Sequence, residues 1–248
     1  MGEGFVDYVG DIYVQDGSNE GTLGSFCWAP VLYTHTSVNV VRPLANDPAD
    51  ENFGKYTVQQ IDLRAIAGKK SVPFQHRFPD NFLKLELGED LFVIRGKVRP
   101  VVVLFNPRAS HEEVIKDGAK SANDIQTCFG CVPSYTLTGT NEMSRHKGAF
   151  VENVRALKYA PFCYLPKHPQ FEDRETFLRL DRLTWIPPKL LSPMEFKLNS
   201  KGMKYLSAWN DWFCRGIPLP NQLSEVRNFF LELLEEERKK VSSSAEQK

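Results

Sequence analysis

The feature that most constrains the fold is a short apolar run, residues 101–105, which reads Val-Val-Val-Leu-Phe. A run of this length also suits a short buried helix. Three consecutive valines favour a strand, because β-branched side chains fit a pleated surface. Pro100 at the mouth of the run favours it too, since proline is tolerated where a strand begins. The run therefore predicts a strand that is buried on both faces.

A basic turn precedes this strand. Gly96 permits the turn, and three cations lie within five positions, at Arg95, Lys97 and Arg99. A guanidinium offers a planar fork of donors and keeps its charge at any working pH, so an arginine at the entrance of a rigid strand suits an anion such as phosphate. The alternative is a basic hairpin turn without a function, because charged turns are common.

Four stretches share their order and content with one protein family. Residues 96–100 read Gly-Lys-Val-Arg-Pro and lead into the apolar strand. Residues 128–136 carry a Val-Pro dipeptide followed by small hydroxyl residues, and residues 10–14 read Gly-Asp-Ile-Tyr-Val. Residues 177–183 form a late strand with a polar centre, followed by Leu-Ser-Pro at 191–193. Over about half of the chain, these stretches resemble the MazF/PemK family of toxin endoribonucleases.

The resemblance implies an α+β fold: a small SH3-like β-barrel with an inserted β-rich N-terminal segment and C-terminal amphipathic helices. It implies a barrel over residues 1–215 with a large insertion at about 17–90. Apolar spacing predicts a C-terminal helix over 216–241, and the polar composition that follows predicts a disordered tail over 242–248. Alternatively, the first barrel strand is residues 90–94 and the early Gly-Asp-Ile is a chance match.

The activity that the resemblance implies is metal-independent cleavage of single-stranded RNA, in the toxin of a toxin–antitoxin-like system. The neighbouring ribose 2′-hydroxyl attacks the phosphorus, and no cofactor is expected. Arg99 would bind the non-bridging oxygens, and Thr136 or Ser134 would hydrogen-bond the same phosphate. The family's catalytic threonine stands two places after the proline, where this chain has Tyr135.

Other residues are expected to contact the RNA, namely Arg95, Lys97, Tyr135, Arg145 and Lys147. The partners implied are single-stranded RNA, an antitoxin protein and a second copy in a homodimer. A second hypothesis is an inactive SH3-like barrel that binds protein or nucleic acid, with Tyr135 in place of the catalytic threonine. A third is a cytosolic β-rich domain that is unrelated to this family.

Composition limits how a nucleic acid is held. The 31 Lys and Arg residues balance 31 Asp and Glu residues, so RNA has to be bound by a local patch. An apolar share of 42% is enough for a real core. No apolar run reaches the ~18 residues of a membrane span, and the polar N-terminus lacks a secretory signal. The expected location is the cytoplasm, without membrane partners.

The cysteines fit a reducing compartment, because five thiols without a secretory signal read as free. Cys128 and Cys131 form a Cys-x-x-Cys pair, which suits half of a zinc site, a redox pair or two buried strand residues. A structural zinc site usually needs a second pair of ligands at similar spacing, and the chain has no second Cys-x-x-Cys pair. Buried strand cysteines are therefore the favoured interpretation.

Apolar spacing and turn residues predict the remaining elements. Ser192 and Pro193 are typical of a helix start, and residues 204–214 predict an amphipathic helix. Ser224 is the predicted cap of a final helix. The predicted strands are residues 5–16, 25–34, 38–41, 56–67, 83–87, 91–94, 101–105, 124–133, 161–166 and 176–186.

Overall fold

The computed structural model describes residues 10–18, 21–33, 38–45, 49–52, 54–61, 91–106, 128–137, 148–172 and 174–245. These residues form a mixed α+β fold that consists mostly of strands. The chain separates into two compact units. The larger comprises Met1–Ala29 and Val98–Lys248, and the smaller is Pro30–Lys97. The smaller unit overlaps the span in which the sequence predicts an insertion.

The strands are β1 (Tyr13–Gln15), β2 (Ser25–Leu32), β3 (Val38–Pro43), β4 (Tyr56–Ile61), β5 (Phe92–Val93), β6 (Gly96–Phe105), β7 (Phe129–Thr136), β8 (Phe162–His168), β9 (Arg174–Arg179), β10 (Thr184–Ile186) and β11 (Ser192–Leu198). The helices are α1 (Gly148–Arg155), α2 (Ser200–Arg215) and α3 (Asn221–Ala245). Short 3-10 turns cover Pro169–Phe171, Leu180–Arg182 and Pro188–Leu190.

The main sheet is curled and belongs chiefly to the larger unit. Its strand order is β1-β11-β2-β6-β7-β9-β8, and β10 also pairs with β7. β6 lies in the interior of this order with a strand on each side, which explains its apolar run. The side chains of Val101, Val102 and Val103 are fully buried, whereas Phe105 at the end of the run is exposed. The prediction of a strand here is confirmed.

β7 continues past its proline, although the sequence predicts that the strand ends there. One edge of β7 pairs first with β10, where Cys131 lies opposite Thr184, and then with β9, where Ser134 lies opposite Leu178. Pro133 falls between these two partners. Pro133 has no amide proton, but at this position it interrupts neither the β7–β10 ladder nor the β7–β9 ladder.

Helices α2 and α3 cover the core of the larger unit. α2 confirms the predicted amphipathic helix, and it buries Tyr205, Leu206 and Trp209. A Cβ at Gly202 would lie 2.6 Å from the Ile12 carbonyl oxygen, so glycine is what lets α2 approach the chain at this point. α3 adds three side chains to the same core, those of Val226, Phe230 and Leu234.

The smaller unit contains a three-stranded sheet in the order β4-β3-β5. All its pairs are antiparallel, with Val41 opposite Val58 and Val40 opposite Phe92. The predicted strand over residues 91–94 is present as Phe92–Val93, and it pairs with β3. The predicted strand over residues 83–87 lies outside the described residues.

Two predicted elements are wrong in the structure. Ser192 and Pro193 begin strand β11, not a helix, because β11 pairs with both β1 and β2 and buries Phe196 and Leu198. The helix begins at Ser200, where the Asn199 side chain accepts a hydrogen bond from the Gly202 amide at 2.9 Å.

The predicted strand over residues 176–186 is interrupted, because the turn Leu180–Arg182 separates β9 from β10. The final helix begins at Asn221, three residues before the predicted cap at Ser224, and is helical through Ala245, beyond the predicted boundary at 241. Among the described residues, no helix combines the length and the apolar character that crossing a membrane requires.

Candidate anion-binding site around Tyr135

Strand register brings Arg99 to Tyr135. On β6, Arg99 stands two residues before Val101, and Val101 lies opposite Pro133 on β7. Two residues further along the antiparallel pair, Arg99 comes opposite Tyr135. The guanidinium carbon of Arg99 lies 4.5 Å from the centroid of the Tyr135 ring, which is the geometry of a cation–π contact. Both side chains are half-buried.

Two further arginines face the same ring. The guanidinium carbon of Arg179 on β9 lies 5.9 Å from its centroid, and that of Arg182 lies 5.6 Å from it. Arg182 Nη1 also donates a hydrogen bond of 2.9 Å to the Tyr135 hydroxyl. We call Arg99, Tyr135, Arg179, Asp181 and Arg182 the Tyr135 cluster.

Asp181 is the carboxylate of the cluster. Arg179 Nε donates to Asp181 Oδ1 at 2.7 Å, and Arg179 Nη2 donates to the other carboxylate oxygen. Burial alone raises the pKa of Asp181, but the Arg179 hydrogen bond and the charges of Arg179 and Arg182 lower it on balance. The same hydrogen bond raises the pKa of Arg179. This pair therefore stays ionised near neutral pH and fixes the orientation of one guanidinium.

The cluster is suited to an anion. Three guanidinium groups converge on one phenol, and their mutual repulsion in a half-buried setting is stronger than it would be in bulk water. A bound anion relieves that repulsion. Guanidinium groups also offer forked donors that match the oxygens of a phosphate. The cluster thus provides charge, directed donors and an aromatic face in one place.

The two predicted hydroxyl residues lie elsewhere. Successive side chains of a strand point to opposite faces, so Ser134 and Thr136 face away from Tyr135. Ser134 is 3% exposed, and its hydroxyl has no hydrogen-bond partner among the described residues. Thr136 is exposed and lies opposite Thr176 on β9. The structure brings Arg99 and Tyr135 together and does not bring Ser134 or Thr136 to them.

The Tyr135 cluster does not include Arg95 or Lys97. Arg95 and Lys97 are exposed residues of the smaller unit. The backbone carbonyl of Arg95 accepts a hydrogen bond of 2.7 Å from the Tyr33 amide, just before β6. The predicted basic turn is wrong, because residues 96–100 already belong to strand β6. Arg145 and Lys147 lie outside the described residues.

Sequence reasoning missed the part that β9 and its following turn play. The sequence shows a late strand with a polar centre, but it gives Arg179 and Arg182 no role. The signal was present, since both arginines interrupt an otherwise apolar stretch. The missing information was the register that sets Tyr135 opposite Phe177.

An aromatic layer supports the cluster. Tyr135 stacks on Phe177 with ring centroids 5.8 Å apart. The rings of Phe150 on α1 and Phe162 on β8 then pack against Phe177, at 5.8 and 5.4 Å. The Arg179 guanidinium carbon lies 5.0 Å from the Phe162 ring. These contacts restrict the positions that the Tyr135 ring and the Arg179 side chain can adopt.

A buried polar network fixes α1 to the sheet beside this layer. Arg155 on α1 donates to both carboxylate oxygens of Glu175 on β9, at 2.5 to 3.2 Å. The Tyr164 hydroxyl donates to the same carboxylate at 2.7 Å. Burial, followed by the Glu175 charge, raises the pKa of Tyr164, so it stays protonated as a donor. This network is satisfied internally and has a structural role.

The Cys-x-x-Cys pair is a different case. Cys131 is fully buried within β7, which confirms its interpretation as a buried strand cysteine. That interpretation is wrong for Cys128, which is half-buried and precedes β7. Burial raises the pKa of the Cys131 thiol to about 12 and that of Cys27 to about 11. Both thiols are therefore protonated at neutral pH. Within the described ranges, no three His, Cys, Asp or Glu side chains are grouped to hold a metal ion.

Comparison of the chain with protein-family models, with curated proteins and with solved structures gives no match. Function has therefore to be inferred from the chemistry of the Tyr135 cluster.

Proposed function

We propose that this chain binds single-stranded RNA and that the Tyr135 cluster holds one of its phosphates. The observation that carries the proposal is the convergence of Arg99, Arg179 and Arg182 on the Tyr135 ring. A chain whose formal charge is balanced needs a local concentration of cations to hold a polyanion, and this cluster supplies one.

The aromatic component favours a single strand over a duplex. Unstacked bases can lie on a tyrosine ring or on the plane of a guanidinium, whereas a duplex hides its base faces. In the cluster, the Tyr135 ring and three guanidinium planes occupy one half-buried region. The cluster can therefore combine a phosphate contact with a stacking contact at neighbouring positions of one strand.

We propose in addition that the fold is a divergent SH3-like barrel. Support comes from the curled sheet and from the Arg-Pro dipeptide at Arg99 and Pro100, which leads into the buried part of β6. In such a barrel, the Tyr135 cluster would hold the phosphate that the resemblance assigns to Arg99, and Tyr135 would stand in place of the family's threonine.

A second candidate function is metal-independent cleavage of the bound strand. The observation that favours it is that the Arg99 guanidinium and the Tyr135 hydroxyl, which Arg182 holds, lie on one face of β7. The 2′-oxygen would attack phosphorus while the bond to the 5′-oxygen breaks. The 2′-hydroxyl loses its proton, the leaving 5′-oxygen gains one, and a 2′,3′-cyclic phosphate remains. Arg99 and Arg182 would stabilise the charge that builds on the phosphorane.

Binding is tested by fluorescence anisotropy with a labelled single-stranded RNA at several salt concentrations. Arg99→Ala should weaken binding roughly tenfold and reduce the salt slope by about 0.7, the value for one lost phosphate contact on a single strand. Arg215→Ala is the matched control, because Arg215 is an exposed arginine on α2 that pairs with Asp211. Equal affinities for wild type and Arg99→Ala would reject the proposal.

Cleavage is tested with the same RNA in EDTA. The nuclease predicts a cyclic-phosphate product, which is lost in Arg99→Ala and in an RNA with 2′-deoxyribose at the cleaved position. Intact RNA that still binds the wild-type chain would reject the nuclease and leave a binding module. Cleavage that persists in Arg99→Ala would show that the Tyr135 cluster is not the catalytic site.

A further inference from the structure

A second aromatic feature lies near the opposite end of β7. Phe105 on β6 and Trp185 on β10 expose 39% and 56% of their surface. Their rings are stacked at an interplanar angle of 27° with centroids 6.3 Å apart. Aromatic side chains of this size are normally buried in a core or an interface, so two stacked rings in contact with solvent call for an explanation.

The arrangement is produced by strand register. Gly130 on β7 lies opposite Phe105 on one side and opposite Trp185 on the other. A Cβ at Gly130 would lie 2.8 Å from Phe105 Cδ2 and 3.0 Å from Phe105 Cβ. The Phe105 ring therefore packs directly against the backbone of Gly130, which a residue with a side chain would not allow. We call Phe105, Gly130 and Trp185 the aromatic platform.

The platform and the Tyr135 cluster are joined by one short segment. Arg182, which hydrogen-bonds Tyr135, and Trp185 are three residues apart, a distance of at most about 11 Å. Along β7, Gly130 and Tyr135 are five residues apart, about 17 Å, and point to opposite faces. In the described part of the sheet, β10 pairs with β7 and has no second neighbour. A flexible polymer that crosses this edge can reach both features.

We propose that the aromatic platform stacks a base of the same RNA strand whose phosphate the Tyr135 cluster holds. The inference rests on the proposed function and adds a second contact point with a different chemistry. A planar base matches two stacked rings, and stacking accepts any base because every base has a π-face. A stable protein partner would need about 800 Å² on each side, far more than two rings provide. The size of the platform therefore favours a base.

The test separates bases from phosphates. Two labelled RNAs of equal length and charge are compared, one complete and one with several abasic positions. Trp185→Ala should weaken binding of the complete strand between fivefold and a hundredfold, in the range of one lost stacking contact, and should leave the abasic strand unaffected. Trp185→Phe keeps a ring and should retain most of the affinity. The salt slope should not change in either variant, because neither removes a phosphate contact.

The outcomes distinguish the two proposals. If Trp185→Ala binds the complete strand as wild type does while Arg99→Ala binds it weakly, the platform is wrong and the Tyr135 cluster stands. If neither variant weakens binding, both proposals fail. If Trp185→Ala weakens the complete and abasic strands equally, stacking is excluded. If it abolishes self-association in sedimentation runs without changing RNA affinity, the platform is a protein interface.

A second variant guards against a folding artefact. Gly130→Ala places a methyl group against the Phe105 ring and should displace it while leaving Trp185 in the sequence. The expected result is a selective loss of affinity for the complete strand, in a protein whose circular dichroism spectrum matches that of the wild type. Wild-type affinity in a folded Gly130→Ala protein would overturn the role of the platform geometry.

Discussion

The Tyr135 cluster and the Asp16 site show how differently this protein treats charge. Asp16 lies just after β1 and is 5% exposed. Its carboxylate accepts hydrogen bonds from the Ser18 amide, the Ser18 hydroxyl, the Ser25 hydroxyl and Lys197 Nζ, at 2.8 to 3.2 Å. Each carboxylate oxygen is satisfied within the protein. This carboxylate connects β1, β2 and β11.

The Tyr135 cluster has the opposite balance. Three guanidinium groups meet one phenol and one carboxylate, and Asp181 is 33% exposed at its side chain. A site whose donors and acceptors match internally stabilises the fold. The described side chains of the Tyr135 cluster carry more positive than negative charge, and such a surplus favours a partner of the other sign. The comparison predicts that substitutions at Asp16 change stability, while substitutions around Tyr135 change binding.

The largest expected effect is a loss of stability, and it is measured by comparing two matched variants, Asp16→Asn and Asp181→Asn. Asp16→Asn removes the charge that four donors share and should lower the free energy of unfolding by about 2–3 kcal/mol, allowing for the partial exposure of Lys197. Asp181→Asn should cost less than about 1 kcal/mol, because its ion pair is partly solvated. Urea denaturation measures both. Equal losses would show that the Asp16 site is not the more structural of the two.

The next expected effect is that Asp16 makes the free energy of unfolding depend on pH. Burial alone raises the pKa of Asp16, but hydrogen bonds from Ser18, Ser25 and Lys197 lower it on balance to about 2, against an ordinary value of 3.8. The folded state thus releases this proton more readily than the unfolded state does. Ionised Asp16 therefore contributes about 2 kcal/mol to the free energy of unfolding. This contribution is fully present above about pH 4 and is lost as the pH falls towards 2.

The measurement is the difference between wild type and Asp16→Asn at pH 5 and at pH 3. That difference should shrink on acidification, because the asparagine variant lacks the titrating group. The pKa of Asp181 is lowered as well, so the wild-type curve alone would mix two carboxylates. A difference that stays constant between the two pH values would mean that the Asp16 hydrogen bonds do not favour its ionised form.

How much of this was readable from the sequence differs between the two regions. The buried strand at 101–103, the entrance arginine Arg99 and the amphipathic face of α2 follow from local patterns, and the structure confirms the strand and the helix. The helix predicted at Ser192 failed because pairing with β1 and β2 outweighs a local cap signal. Register is non-local, so no local pattern could have placed Tyr135, rather than Thr136, beside Arg99.

A smaller effect should follow from Tyr135→Phe, which keeps the ring and removes the hydroxyl. The cation–π contact with Arg99 and the stack on Phe177 should remain, while Arg182 loses its acceptor. We expect RNA affinity to fall a few-fold, with a stability change within about 1 kcal/mol. Tyr135→Ala, which also removes the ring, should lower affinity further. If both variants bind alike, the ring contributes nothing and the site is purely electrostatic.

The smallest expected effect is a gain in RNA affinity, and it tests the charge balance of the Tyr135 cluster directly. Asp181→Asn removes the carboxylate from the Tyr135 cluster, so a bound phosphate no longer meets a negative group beside Arg179. RNA affinity should rise about two- to fivefold at low salt, and the gain should shrink as salt screens the site. Glu232→Gln on the exposed face of α3 is a matched control that should leave affinity unchanged. A loss of affinity in Asp181→Asn would instead mean that the carboxylate serves binding by orienting Arg179, and the cluster would then depend on guanidinium geometry more than on net charge.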